Sequence, residues 1–143
     1  MNNNITNNND RFRDLIWQGI VRHTNPIKCD DIKIINVEPG YAKISMPVDE
    51  NNVNAYNIAH GGALFTLCDM ASGMATYAYD VENVTLDANI NYIKGAKIGL
   101  IYAEAKVIHK GGKTAVIKVD LTNDEGELLA VGTFTMYMKQ SIQ

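Results

Sequence analysis

The segment HGGALFTLCDMASGMATYA, residues 60–78, sets two chemical possibilities side by side. His60, Gly61 and Gly62 open an apolar run of helical character, and Asp69 is the single charge within it. The first backbone N–H groups of a helix have no intrahelical partner, and the macrodipole adds partial positive charge there. Two glycines leave that end unshielded, so a substrate carbonyl can approach the amides closely, which is how an oxyanion hole is built from backbone. Close packing of a helix on a sheet asks for the same glycines, so they do not decide the matter alone. A carboxylate in such a helix is either hydrogen-bonded as scaffold or placed to react, because burying it unpaired costs on the order of several kcal/mol. The sequence leaves both readings open. Helical spacing puts Gly62, Thr66, Ser72, Gly73 and Thr76 on the stripe of Asp69, opposite Leu64, Leu67, Cys68, Ala71, Met74, Ala75 and Ala78.

Other chemistries lack their residues. No histidines have ligand spacing and Cys29 and Cys68 form no clip, so no metal site is expected. There is no G-x-S-x-G elbow to make the His-Gly-Gly segment that of a lipase, and no Rossmann or P-loop glycine pattern. His23 and His109 look incidental; Cys68 and Ser72 have no activating base nearby and read as packing. A net charge of −3 and a pI near 5.5 give no basic surplus, which argues against nucleic acid and anionic membranes as main partners.

The chain of 143 residues, 46% apolar, suits one domain with its own core. Its start, MNNNITNNNDRFRD, has neither the cationic lead nor the apolar core of a signal peptide, and no run reaches the roughly 18 apolar residues of a membrane span. The expectation is a soluble, cytoplasmic protein with reduced cysteines, residues 1–9 a disordered polar lead and residues 10–143 a single domain.

The elements that must position the site follow from periodicity. RFRDLIWQGIVRH places Phe12, Leu15, Ile16, Trp17, Ile20 and Val21 at a helical period after Asp10, a good N-cap. IKIINVEP and YAKISMPVD alternate as a hairpin about Pro39-Gly40. After the central helix come four runs of period two, ENVTLDANINYI, LIYAEAKVIHK, KTAVIKVDLTN and LLAVGTFTMYMK, joined by glycine-containing connections suited to antiparallel neighbours. The fold class is therefore α+β: a long, nearly all-apolar helix packed into a curved antiparallel sheet of about six strands, with a short N-terminal helix before it. Long strands leave an open sheet edge, which predicts at least a homodimer.

An asparagine at 54, His60-Gly61-Gly62, Asp69 and the strand VTLDANINYIKGAKIG together resemble the PaaI-type acyl-CoA thioesterases of the hotdog superfamily, over roughly residues 34–139. The resemblance implies a hotdog fold that dimerises through one continuous sheet, with two dimers often making a tetramer. It implies active sites at the subunit interface, the helix-opening glycine of one chain facing the acid of the other. On that basis the Gly61 N–H polarises the thioester carbonyl, Asp69 is general base or nucleophile, Asn54 helps place substrate or water, His60 shapes the loop, and Thr85 orients the attacking water. Asn57 stands where many relatives have glycine, a change asparagine tolerates, and Gly95 replaces a common proline. The acyl tunnel is expected beside Gly62, Phe65 and Tyr92, and the coenzyme A phosphates beside Lys94, Lys97, Lys110 and Lys113. The substrate is an acyl- or aryl-CoA, and no cofactor is expected beyond the CoA of the substrate itself. Two rivals remain: a non-catalytic acyl-CoA binding protein or sensor with the same pocket, and a hotdog dehydratase or hydratase, whose aspartate or glutamate with histidine pattern is absent here.

Overall fold

The computed structural model describes residues 31–141, so the expected polar lead, the helix after Asp10 and Cys29 lie outside the described residues. Six strands and one helix are formed: β1 (Lys33–Glu38), β2 (Tyr41–Val48), α1 (Gly61–Tyr77), β3 (Val81–Tyr92), β4 (Gly99–Lys110), β5 (Thr114–Asn123) and β6 (Leu128–Ser141). All pairings are antiparallel, in the sheet order β1-β2-β4-β5-β6-β3.

Alternation fixes which face of each strand meets the helix. Ile101, Ala103 and Ala105 of β4 lie opposite Leu121 and Val119 of β5 and Ile44 and Ala42 of β2, and all are buried. Small alanines in the middle strands let the sheet close on Ala63, Leu67, Ala71 and Ala75 of α1, while Phe134 and Met136 of β6 fill the far side. The outer face carries Tyr41, Glu104, Lys106, Lys118 and Asp120; there the Tyr41 hydroxyl donates to Glu104 at 2.7 Å. That bond and burial push the Tyr41 phenol up to about 12, and the same bond holds the Glu104 carboxyl below its ordinary range.

The helix lies less deeply than its composition suggests. Ser72 and Thr76 are fully buried, donating at 2.9 Å to the carbonyls of Cys68 and Ser72 one turn earlier. Their hydroxyls are satisfied within the helix, so they enter the core cheaply instead of joining the stripe of Asp69. The open side is instead Gly62, Thr66, Asp69, Met70, Gly73 and Tyr77. It faces the gap between the two sheet edges, β1 and β3.

At its C-terminal end the helix is tied by one glycine. The Gly40 N–H donates to the Ala75 carbonyl at 3.0 Å and the Gly40 carbonyl accepts from Val107 at 2.9 Å. Gly40 has φ of 82°, and a Cβ there would stand 2.4 Å from the Tyr79 hydroxyl, so only glycine fits.

Candidate active site

The loop before α1 is built by two asparagines. Asn52, 4% exposed, accepts from the Asp49 N–H and donates to the Pro47 carbonyl, both at 2.9 Å, and its own carbonyl takes the His60 N–H at 2.9 Å. Nothing in the sequence singled Asn52 out from Asn51, Asn54 and Asn57 beside it, although its partners lie within eight residues. Asn54 accepts from the Tyr56 and Ile58 N–H groups at 2.9 and 3.4 Å and closes the turn at Asn57, whose φ of 59° is the left-handed backbone that asparagine adopts readily. Ile58 then packs over Gly95, where a Cβ would stand 3.1 Å from it.

This loop delivers the helix opening. His60 occupies the N-cap with extended backbone (φ −57°, ψ 136°) and caps through its carbonyl, which accepts from Ala63 and Leu64; its imidazole makes no cap. The Gly61 and Gly62 N–H groups have no acceptor among the described residues. A cavity of about 250 Å³ borders this end, lined by Asn54, Ile58, Gly61, Leu64 and Tyr92. Gly61 and Asn54 are thus brought together; Gly62 is exposed beside them.

Asp69 is half-buried on the open side of α1, and Thr85 of β3 donates to its Oδ1 at 2.5 Å. One rung on, Asn83 donates to the Gly73 carbonyl at 3.2 Å. β3 therefore runs antiparallel to the helix, with Tyr92 beside Gly61 and Thr85 beside Asp69. Beyond Asp69 by one turn lies an apolar groove of about 640 Å³, walled by Ile34, Val37, Met70, Met74 and Tyr77 and closed at one side by Asn83. Cys68, on the covered side, is pushed up to about 12 by burial and by the Asp69 carboxylate, so it stays a thiol and not a nucleophile.

Within one chain, Asn54 and Gly61 share no cavity with Asp69: eight residues of helix separate Gly61 from Asp69, about 12 Å of rise. Two expectations are corrected by the geometry. Phe65 turns its ring onto Phe134, centroids 5.4 Å apart, and does not line the cavity beside Gly61. The four lysines are not one cluster, because Lys94 and Lys97 precede β4 and Lys110 and Lys113 flank its far end. A strand of 12 residues puts those ends roughly 36 Å apart. Lys94 is also ion-paired with Glu127, beside Asp124 and Glu125.

A carboxylate with one hydroxyl donor and a helix end with free amides are groups that acyl-transfer chemistry can use. The chain belongs to the thioesterase superfamily, whose family model matches residues 56–130, and its six-stranded sheet around one helix is the hotdog fold of that class. Within it the chain is of the PaaI type, a thioester hydrolase. It is 36% identical over 111 residues to human acyl-coenzyme A thioesterase 13, covering 75% of this chain and 79% of that one. It is 29% identical over 101 residues to the acyl-coenzyme A thioesterase PaaI of Escherichia coli, covering 70% and 72%. Among solved structures it is similar to a hypothetical thioesterase from Streptococcus pneumoniae with coenzyme A, at a TM-score of 0.77 and 34% identity, over 80% of this chain and 94% of that one.

Proposed function

We propose that the protein hydrolyses acyl-CoA thioesters as a homodimer in which each active site takes its amides from one chain and its acid from the other. The observation that carries this reading is the separation of Gly61 from Asp69. A thioester carbonyl carbon within about 3 Å of the attacking oxygen cannot at once place its own oxygen on an amide about 12 Å along the same helix. A second copy closes the gap. β3 is a sheet edge of 12 residues, with Leu86 62% exposed along it, and an open edge of that length is completed by another strand. Asp69 sits beside Thr85 and Gly61 beside Tyr92, so a two-fold axis crossing β3 between Ala88 and Asn89 sets the partner's Gly61 opposite Asp69. The same axis sets the partner's Lys110 and Lys113 at the end of the joined sheet that holds Lys97, but β4 and its copy stand seven strand spacings apart, roughly 33 Å, so one lysine pair and not all four meets the CoA phosphates.

In this arrangement the partner's Gly61 N–H stabilises the oxyanion as it forms, and Thr85 holds Asp69 toward the carbonyl. Asp69 takes a proton from water while the hydroxide adds to the carbonyl carbon, or it attacks that carbon itself and water opens the resulting anhydride; in both routes the C–S bond breaks and CoA leaves as thiol. In a single turnover in 18O-labelled water, an unlabelled acid with label in Asp69 identifies direct attack followed by opening of the anhydride at the Asp69 carbon. Asn54 shapes the helix opening and His60 holds it through its backbone. The charge developed is met by backbone and the proton by Asp69, so the scheme uses no metal or redox cofactor. The acyl group enters the apolar groove one turn past Asp69, which favours medium-chain or aryl groups over acetyl. The free, buried Cys68 fits a reducing, cytoplasmic setting, and no helix among the described residues is long and apolar enough to cross a membrane. Pairing of dimers into tetramers is part of the same proposal.

Support also comes from the Streptococcus pneumoniae relative, solved once with an aspartate changed to alanine and once with a threonine changed to alanine, positions sixteen apart. Asp69 and Thr85 have the same spacing. The test is thiol release from acetyl-, octanoyl-, palmitoyl- and phenylacetyl-CoA beside Asp69→Asn. A fall in kcat of about a hundredfold or more with binding retained is expected. Tight binding of acyl-CoA with no thiol released by the unaltered protein would turn the reading to a sensor.

A further inference from the structure

The helix opening has a neighbour that the scheme above does not use. The Tyr92 hydroxyl, from the last residue of β3, donates to the Gly61 carbonyl at 2.7 Å. Tyr92 is anchored on its strand by pairing with Ala130 of β6. Glycine at 61 is what lets the ring come so near: a Cβ there would stand 3.2 Å from the phenol carbon and 3.3 Å from its oxygen. The opening glycine therefore serves two purposes, leaving its amide bare and admitting a tyrosine against its carbonyl.

That carbonyl shares a planar peptide group with the Gly62 N–H, one of the two amides with no acceptor among the described residues. Fixing the oxygen end of a planar group fixes the direction of its N–H. Drawing electron density toward the oxygen also makes that N–H a stronger donor, as in any chain of hydrogen bonds. Burial, and to a lesser degree Cys68, push the Tyr92 phenol above its ordinary range, so it remains a proton donor at every pH where a thioester survives. Tyr92 and Gly61 line the same cavity.

We infer that Tyr92 is a positioning residue of the oxyanion site, holding the Gly61–Gly62 peptide so that the Gly62 N–H is aimed and polarised as a second donor, beside that of Gly61, for the developing negative charge. The inference rests on the thioesterase reading above. Tyr92→Phe keeps the ring and removes only the hydroxyl. Loss of one hydrogen bond of ordinary strength predicts a fall in kcat of about 3- to 10-fold with KM within about twofold. Two measurements separate positioning from mere scaffolding. A trifluoromethyl ketone analogue of the acyl-CoA, which binds as an oxyanion, loses affinity by the same factor as kcat, while an unreactive thioether analogue binds as before. In 15N-labelled protein the Gly62 amide resonance shifts on Tyr92→Phe, whereas an exposed control, Ile98→Ser, leaves it in place. Unchanged kcat, equal weakening of both analogues, or an unmoved Gly62 resonance overturns the inference. Should the unaltered protein release no thiol from any acyl-CoA, the thioesterase reading fails separately, and the Gly62 resonance still decides whether Tyr92 controls that peptide.

Discussion

Replacing Gly61 with proline removes one N–H and little else. Proline is favoured at the first position of a helix, where the amide has no intrahelical acceptor and φ near −65° is already required. His60 before it has φ −57° and ψ 136°, the extended geometry that a following proline imposes. An added Cβ would meet Tyr92 at 3.2 Å, so the ring must give by a few tenths of an ångström. Gly61→Ala meets the same contact with its N–H intact and is the control. Loss of one oxyanion donor costs about 10²- to 10³-fold in kcat, or roughly 2.7–4 kcal/mol. Gly61→Pro is therefore expected about a hundredfold or more below Gly61→Ala in steady-state thiol release, with both variants folded by circular dichroism. A ratio within tenfold would refute the amide's role.

The same variant tests the shared site. When Gly61→Pro and Asp69→Asn chains are unfolded together and refolded in equal amounts, half the dimers are mixed, and each mixed dimer assembles one site from two unaltered halves. About a quarter of the unaltered activity returns if the sites are shared across the two-fold. If native mass spectrometry finds mixed dimers and no activity returns, amide and acid act within one chain and the interface argument is wrong.

Two further outcomes can be measured directly. Thr85→Val removes the 2.5 Å hydrogen bond to Asp69 at nearly constant volume and lowers kcat by about tenfold, a bond to a charged group being worth about 1.5 kcal/mol or more, while Thr85→Ser restores most of it; equal rates in all three would remove Thr85 from the site. Folded Tyr41 titrates near 12, above the ordinary phenol value of 10.0, so folding favours its neutral form. That stability is complete below pH 10 and is lost as pH rises toward 12; the urea midpoint should fall across this window and fall less in Tyr41→Phe.

Much of the fold was legible because period-two runs of valine, isoleucine and alanine allow only one face inward, as Ile101, Ala103 and Ala105 illustrate. The helix was legible as an element but not in its rotation. Ser72 and Thr76 read as polar neighbours of Asp69 and turned out to be core, because a hydroxyl bonded to the carbonyl four residues back carries no visible mark in sequence. Gly61 and Asp69 stand out by contrast with their surroundings. Thr85 is one hydroxyl in a strand and was found only through family resemblance. The Tyr92 bond joins residues 31 apart in the chain, and such a contact has no local pattern to reveal it; Asn52 bonds only to near neighbours but is one of several asparagines close together. The four lysines were read as serving one set of phosphates, yet β4 holds the two pairs at opposite ends.

The glycine knot at the far end of the helix reaches further than its position suggests. Gly40 joins the turn after β1, the last turn of α1 and the body of β4 at a single point, while the opposite end of the 17-residue helix is tied by Asn52 and Tyr92. The helix is thus a strut about 25 Å long, pinned at both ends. A tilt of about 5° over that length moves an end through about 2 Å, more than the tolerance of a well-aimed hydrogen bond. A side chain forced into position 40 would therefore be felt at the far end of the strut.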